Sequence, residues 1–197
     1  MILERAGASR QVWIAAALFA LFAQAAAAAA SEQLWALLKE GGHVVLMRHA
    51  VTTPGVGDPP GMRLDACSTQ RNLTDEGRAH ARQAGEAFRA RGITVGRVLA
   101  SPWCRCIETA RLAFGKAEIS PALGNLYGRA ENSARQVREM QALIAGHRGA
   151  GNLVLVSHGS TISALTGEYL GTAEMLVVTP QGPGRFASRG RLAAHAP

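Results

Sequence analysis

Lysine is almost missing from this chain: Lys39 and Lys116 are the only two among 21 Lys and Arg residues. The other cations are arginines scattered along the sequence. No basic block forms the stripe that nucleic-acid binding needs, so nucleic acid is not an expected partner. There is no CxxC and no HExxH, so no metal-ligand spacing is present and no metal or other cofactor is expected. No internal repeat and no Pro- or Gly-rich linker divides the chain. Charged residues make up only 18%, which leaves no composition for a long disordered tail. Cysteine is both scarce and odd in number. Of Cys67, Cys104 and Cys106, one pair can bridge and one thiol stays over. Cys67 has either Cys104 or Cys106 as partner. A bridge between positions 104 and 106 has poor geometry at that spacing.

What remains is 197 residues, 48% hydrophobic, with a formal charge of +7. That is enough chain for one globular domain with a real core. The positive balance suits anionic substrates and association with a negatively charged envelope surface. Residues 1–30 stand apart. Arg5 and Arg10 precede an apolar run, and an alanine tract with small-residue triplets follows. This three-part layout reads as a signal peptide of an exported protein, periplasmic or secreted, leaving a domain over 31–197. The run is also long enough to span a bilayer as an uncleaved anchor.

Within 31–197, helix-period and continuous apolar segments alternate. Helices are expected over 31–40, with a Ser31 cap, and over 72–91, capped by Thr74 with acids in its first turn. Further helices are expected over 102–114, with Pro102 at the first position, over 133–147 and over 159–170. Strands are expected over 43–48, 97–101, 117–120 and 152–157, followed by a hairpin of 174–179 with 185–191. Apolar strands alternating with helices predict an α/β fold, a three-layer α/β/α sandwich with a mostly parallel central sheet and helices on both faces.

Ligands in such sheets bind beyond the carboxyl ends of the strands. Three of those ends carry reactive or cationic residues. "VVLMRHA" delivers Arg48 and His49, "LASPWCR" delivers Arg105 one turn into a helix, and "LVLVSHG" delivers His158. Two guanidinium groups and two imidazoles at one point match a phosphoryl dianion. A neutral imidazole there is a nucleophile for phosphorus.

These segments resemble the motifs of the histidine phosphatase superfamily, the phosphoglycerate mutase-like fold. "LMRHA" stands at its Arg-His-Gly motif, "LTDEGRAHARQAG" at its second motif, "SPWCRCIETA" at its third and "LVLVSHGS" at its second-histidine strand. The resemblance covers residues 43–170. It implies a phosphohistidine on His49, with Arg48, Arg105 and His158 holding the phosphoryl oxygens. Arg71, just before the 72–91 helix, is read from its position as a further substrate contact, with a solvated arginine as the equal alternative. Three positions depart from the family pattern. Ala50 replaces the Gly of the first motif, a mild change. Asn125 stands where the mutase branch places its proton-donating Glu, and Gly159 where the acid-phosphatase branch has Asp. The general acid therefore has three candidates: Asp58, Glu174 and Glu131. The long stretch between His49 and the 72–91 helix is an expected wall over the substrate. The resulting expectation is an exported, metal-independent phosphatase of a small phosphomonoester. A catalytically idle phosphate-binding module of the same fold is the alternative. Cys104 and Cys106, which flank Arg105, also leave open a thiol-redox protein.

Overall fold

The computed structural model describes residues 28–193. The leader reading falls almost wholly on 1–27, outside the described residues. Among the described residues no helix is long and apolar enough to cross a membrane. Helix α1 occupies 28–40 and already includes Ala28 to Ala30, so Ser31 lies inside it rather than capping it. Alanine is the strongest helix former, and the tract carries the helix upstream of the expected start. Gly41 and Gly42, both at positive φ, end it.

The chain continues as β1 (Val44–Arg48), α2 (Asp75–Ala90), β2 (Val95–Ala100), α3 (Cys104–Phe114), β3 (Glu118–Ile119), α4 (Ser133–Ala145), β4 (Asn152–Ser157), α5 (Gly159–Thr166), β5 (Glu174–Pro180) and β6 (Phe186–Ala193). The six strands form one sheet in the order β3-β2-β4-β1-β5-β6. β3, β2, β4 and β1 run parallel, whereas β5 is antiparallel to both β1 and β6. Side chains alternate across the sheet, as strand geometry requires. Val45, Met47, Val154 and Val156 face α1, α2 and α3. Val44, Leu46, Leu153 and Leu155 face α4 and α5. On the first face Phe88 meets Trp35 and Phe114 edge-on, each with ring centroids 5.3 Å apart. The α/β/α sandwich follows from that alternation.

Several expected boundaries move. The 72–91 helix begins only at Asp75, because Leu73 is extended and bridges Thr52. Thr74 is its cap, as expected, with Oγ1 accepting from Gly77 N at 3.0 Å. Pro102 is not the first residue of α3. Trp103 is its extended N-cap, and the helix starts at Cys104. Helix α5 stops four residues before Leu170 because Gly167, at φ 76°, closes it. Two glycines are places of close approach. A Cβ on Gly85 would lie 1.9 Å from Ala113 O, and one on Gly77 2.1 Å from Val51 O. The first seats α2 against α3, and the second seats the start of α2 on the segment that follows His49.

Register places the reactive residues. Arg48 pairs with Ser157, so His49 and His158 leave the sheet side by side. The ladder runs one step further, with His49 N donating to Ser157 O at 3.0 Å and Ser101 N to Val156 O at 2.9 Å. The chain leaves β1 toward the α2 face and leaves β4 toward the α5 face. The gap between these neighbours is therefore a topological switch point, where open α/β sheets bind ligands.

Candidate active site

A cleft of about 610 Å³ opens over the ends of β1, β2 and β4. The two imidazoles meet at its floor with ring centroids 5.4 Å apart. His49 Nδ1 lies 2.8 Å from Ala50 O. A carbonyl only accepts, so Nδ1 carries the proton and Nε2 keeps its lone pair. Burial, with Arg105, Arg48 and Arg71 nearby, pushes the His49 pKa down to about 3 against the pull of the Ala50 hydrogen bond. The ring is neutral at physiological pH. His158 is likewise held well below the usual histidine range, first by burial and then by His49 and Arg105. Its Nε2 lies 2.8 Å from Ser101 Oγ, and its Nδ1 has no protein partner.

Arg105 is fully buried in the first turn of α3. Its fork grips Asp58, Nη1 to Oδ1 at 2.7 Å and Nη2 to Oδ2 at 3.1 Å. The same carboxylate accepts from Trp103 Nε1 and from Arg71 N, both at 3.1 Å. Burial raises the Asp58 pKa, but Arg105, Arg71 N and Trp103 together hold it below the ordinary value. Asp58 is thus an ionised group that accepts four hydrogen bonds, which is not the state of a proton donor. Arg48 donates Nη1 to Leu170 O at 2.7 Å, and its Nε has no protein partner. Arg71 Nε and Arg105 Nε are also buried without one. Three guanidinium Nε–H groups and one imidazole nitrogen in a single cleft are therefore unsatisfied by protein, an arrangement suited to an oxyanion.

Among the sequence candidates, Arg48, His49, Asp58, Arg71, Arg105 and His158 all line the cleft. Glu174 and Glu131 do not. Glu174 Oε2 accepts from Gly171 N at 2.6 Å, and Glu131 is exposed beside Asn132. Asn125 lines the cleft, and its Oδ1 accepts from Ser160 Oγ at 2.9 Å. Cys67 pairs with Cys104, which staples the long stretch after β1 to the start of α3. Cys106 is the free thiol, buried against His158, and burial raises its pKa to about 12. A thiol in that state is a poor redox nucleophile, which weighs against thiol chemistry at Arg105. Thr109, which is not among the sequence candidates, also bears on the site. Its hydroxyl donates to Arg105 O at 2.7 Å and accepts from Ala50 N at 3.1 Å, tying the Arg105 helix to the residue after His49. Arg129 and the ring of Trp103 also belong to the cleft; position in the motif hints at the second and nothing in the sequence at the first.

The family model of the histidine phosphatase superfamily (branch 1) matches residues 44–125, which include His49 and Arg105. Over that stretch the chain is similar to the histidine phosphatase superfamily. His158 lies beyond the matched residues, and the β1–β4 register brings it to the site. Solved structures carry the same fold. One is the protein histidine phosphatase SixA complexed with tungstate, with TM-score 0.54 and 20% identity over 77% of this chain and 97% of that one. Another is the open reading frame Rv3214 of Mycobacterium tuberculosis, with TM-score 0.58 and 19% identity over 78% and 98%. A third is the phosphoserine phosphatase of Entamoeba histolytica in complex with 3-phosphoglyceric acid, with TM-score 0.57 and 14% identity over 76% and 95%. No curated protein matches the chain.

Proposed function

We propose that this histidine phosphatase hydrolyses a phosphomonoester through a phosphohistidine on His49. The observation that carries the reading is the neutral, buried His49 ring with Nε2 unprotonated, beside unsatisfied guanidinium donors. The Nε2 lone pair forms the N–P bond as the bond from phosphorus to the leaving oxygen breaks. Arg48, Arg105 and His158 Nδ1–H hold the equatorial oxygens while charge spreads over them. Ser101 favours that tautomer by donating its hydroxyl to His158 Nε2. Water then attacks phosphorus, the N–P bond breaks, and His49 recovers its lone pair. The leaving oxygen takes its proton from solvent, since Asp58 is ionised on Arg105. Esters with good leaving groups are therefore the fastest substrates. Fixed guanidinium charge serves where other phosphatases use a metal ion, so chelators leave turnover unchanged. Asp58 acts as a positioning residue for Arg105.

The reading extends to location. A Cys67–Cys104 bridge suits an oxidising compartment, in keeping with an N-terminal leader, export and a basic surface near the envelope.

The test is rapid-quench kinetics with p-nitrophenyl phosphate. A stoichiometric p-nitrophenol burst and an acid-labile phosphoenzyme are expected, both absent in His49→Ala. Loss of a nucleophile of this kind lowers kcat by about 10⁴-fold or more. The locked Asp58 favours one second reading, an idle anion-binding module. Tight phosphate binding with no burst would establish it.

A further inference from the structure

Several arginines outside the cleft meet carboxylates: Arg63 with Asp65, Arg78 with Glu108, Arg97 with Glu118, Arg135 with Glu139 and Arg191 with Glu168. The cleft gathers arginines with little such pairing. Four guanidinium groups, of Arg48, Arg71, Arg105 and Arg129, line it with one carboxylate, Asp58, which is bound to Arg105. The histidines on its floor are neutral. A phosphomonoester dianion alone leaves positive charge unmatched there. We propose that the substrate carries a second anionic group beyond the scissile phosphoryl, held by Arg71 and Arg129. The proposal rests on the phosphatase reading and narrows its substrate class.

Geometry separates the two anion positions. The Arg129 guanidinium lies 5.0 Å over the Trp103 ring, and that ring lies 5.2 Å from the His158 ring. Trp103 is in turn pinned by its Nε1 hydrogen bond to Asp58. Arg129 is thus set two ring-to-ring steps out from the floor, about the reach of a small sugar or sugar acid. Stacking fixes the plane of the guanidinium and leaves its in-plane N–H donors for a ligand. Arg71 is the second arm. Its Nε is buried without a partner, and its one side-chain hydrogen bond, Nη1 to Thr53 O, is long at 3.5 Å. Neither arginine side chain has a carboxylate partner among the described residues, whereas Arg105 has Asp58. Their placement is explained by a ligand with charge at both ends.

Glucose 6-phosphate and 6-phosphogluconate give a matched pair of probes. Both present a primary phosphate at the sixth carbon, and only the second has a carboxylate at the first. Calorimetry on His49→Ala, which cannot turn either over, is expected to show 6-phosphogluconate binding about ten-fold more tightly, the gain from a charge-assisted contact. The preference should fall to about two-fold or less when Arg129→Gln is added, and recover in part with Arg129→Lys. In the wild type the ratio of kcat/KM for the two probes should move the same way, mainly through KM. Equal affinities for the two probes overturn the proposal. So does a preference that survives both Arg71→Gln and Arg129→Gln. Failure of the phosphatase reading itself shows separately, as an absent p-nitrophenol burst, and the binding comparison still decides the second-anion site.

Discussion

His49, Arg105 and His158, on the floor of the cleft, are 3%, 0% and 2% exposed, whereas Tyr127 and Tyr169 at its mouth are 84% and 66% exposed. Both sets line the same space. The floor is built from strand ends whose positions follow from hydrogen-bond register, and from a helix that starts directly after one of them. The mouth is built from turns with no register and few buried contacts. Burial on the floor keeps imidazoles neutral and makes each unpaired donor costly, which sharpens the response to an anion. Exposure at the mouth makes each residue weak in energy. Under the proposed function, chemistry belongs to the floor and leaving-group selectivity to the mouth.

The division can be broken most severely at the disulfide that fastens the wall to the floor. Cys67→Ser with Cys104→Ser opens a link spanning 37 residues of sequence. In the chain-entropy model that costs about 4 kcal/mol, read as a fall in the denaturation midpoint. Reductant should do the same to the native protein and nothing further to the double variant. Next in size is Asp58→Ala, which leaves a fully buried guanidinium without its carboxylate. A loss of about 3 kcal/mol is expected in urea unfolding. A smaller loss is expected in Asp58→Asn, where the amide oxygen still accepts.

Acid sharpens the comparison by acting on the buried imidazoles of the floor, with His43 and His147 elsewhere adding in the same direction. The folded pKa values of His49 and His158 lie below their unfolded value, so the unfolded chain takes up protons that the folded chain refuses. Stability is full above about pH 6.5 and falls as pH drops toward about 3. His49 contributes about 1.4 kcal/mol per pH unit over that range, and His158, whose pKa is also lowered, adds to the loss with the same sign. Asp58, whose folded pKa is also depressed, adds to the loss at the acid end. Unfolding free energies at pH 7, 6 and 5 measure the slope, and a flat profile would show that the rings take up protons in the fold as readily as in the unfolded chain. The smallest effect belongs to the mouth. Tyr127→Ala should change stability by no more than about 0.5 kcal/mol, since its side chain is in solvent.

The sequence made the floor legible and the mouth obscure, for a physical reason. Continuous apolar strands and short motifs report where β1, β2 and β4 end, and the switch-point rule then brings Arg48, His49, Arg105 and His158 together. The partner of Arg105 has no such signal. Asp58 lies 47 residues earlier, in a turn-rich stretch without period, and reaches the guanidinium only through tertiary packing. The same holds for Arg129 stacking on Trp103 and for the choice of Cys104 over Cys106 by Cys67. That last choice turns on which side of α3 faces the wall: residues two apart on a helix point to nearly opposite sides, and Cys106 points into the core. Helix starts were misjudged where a local preference lost to a distant contact, as when Leu73 joined Thr52 instead of opening α2.

Gly77 carries one more consequence. The carbonyl of Val51, two residues past His49, occupies the place a methyl group would take at position 77, and it also accepts a hydrogen bond from Thr74 N at 3.1 Å. Even the smallest side chain there must push back the segment that holds the ring of His49. The placement of that imidazole in the cleft is thus set from the far side of the loop, by a hydrogen where every other amino acid would place a carbon.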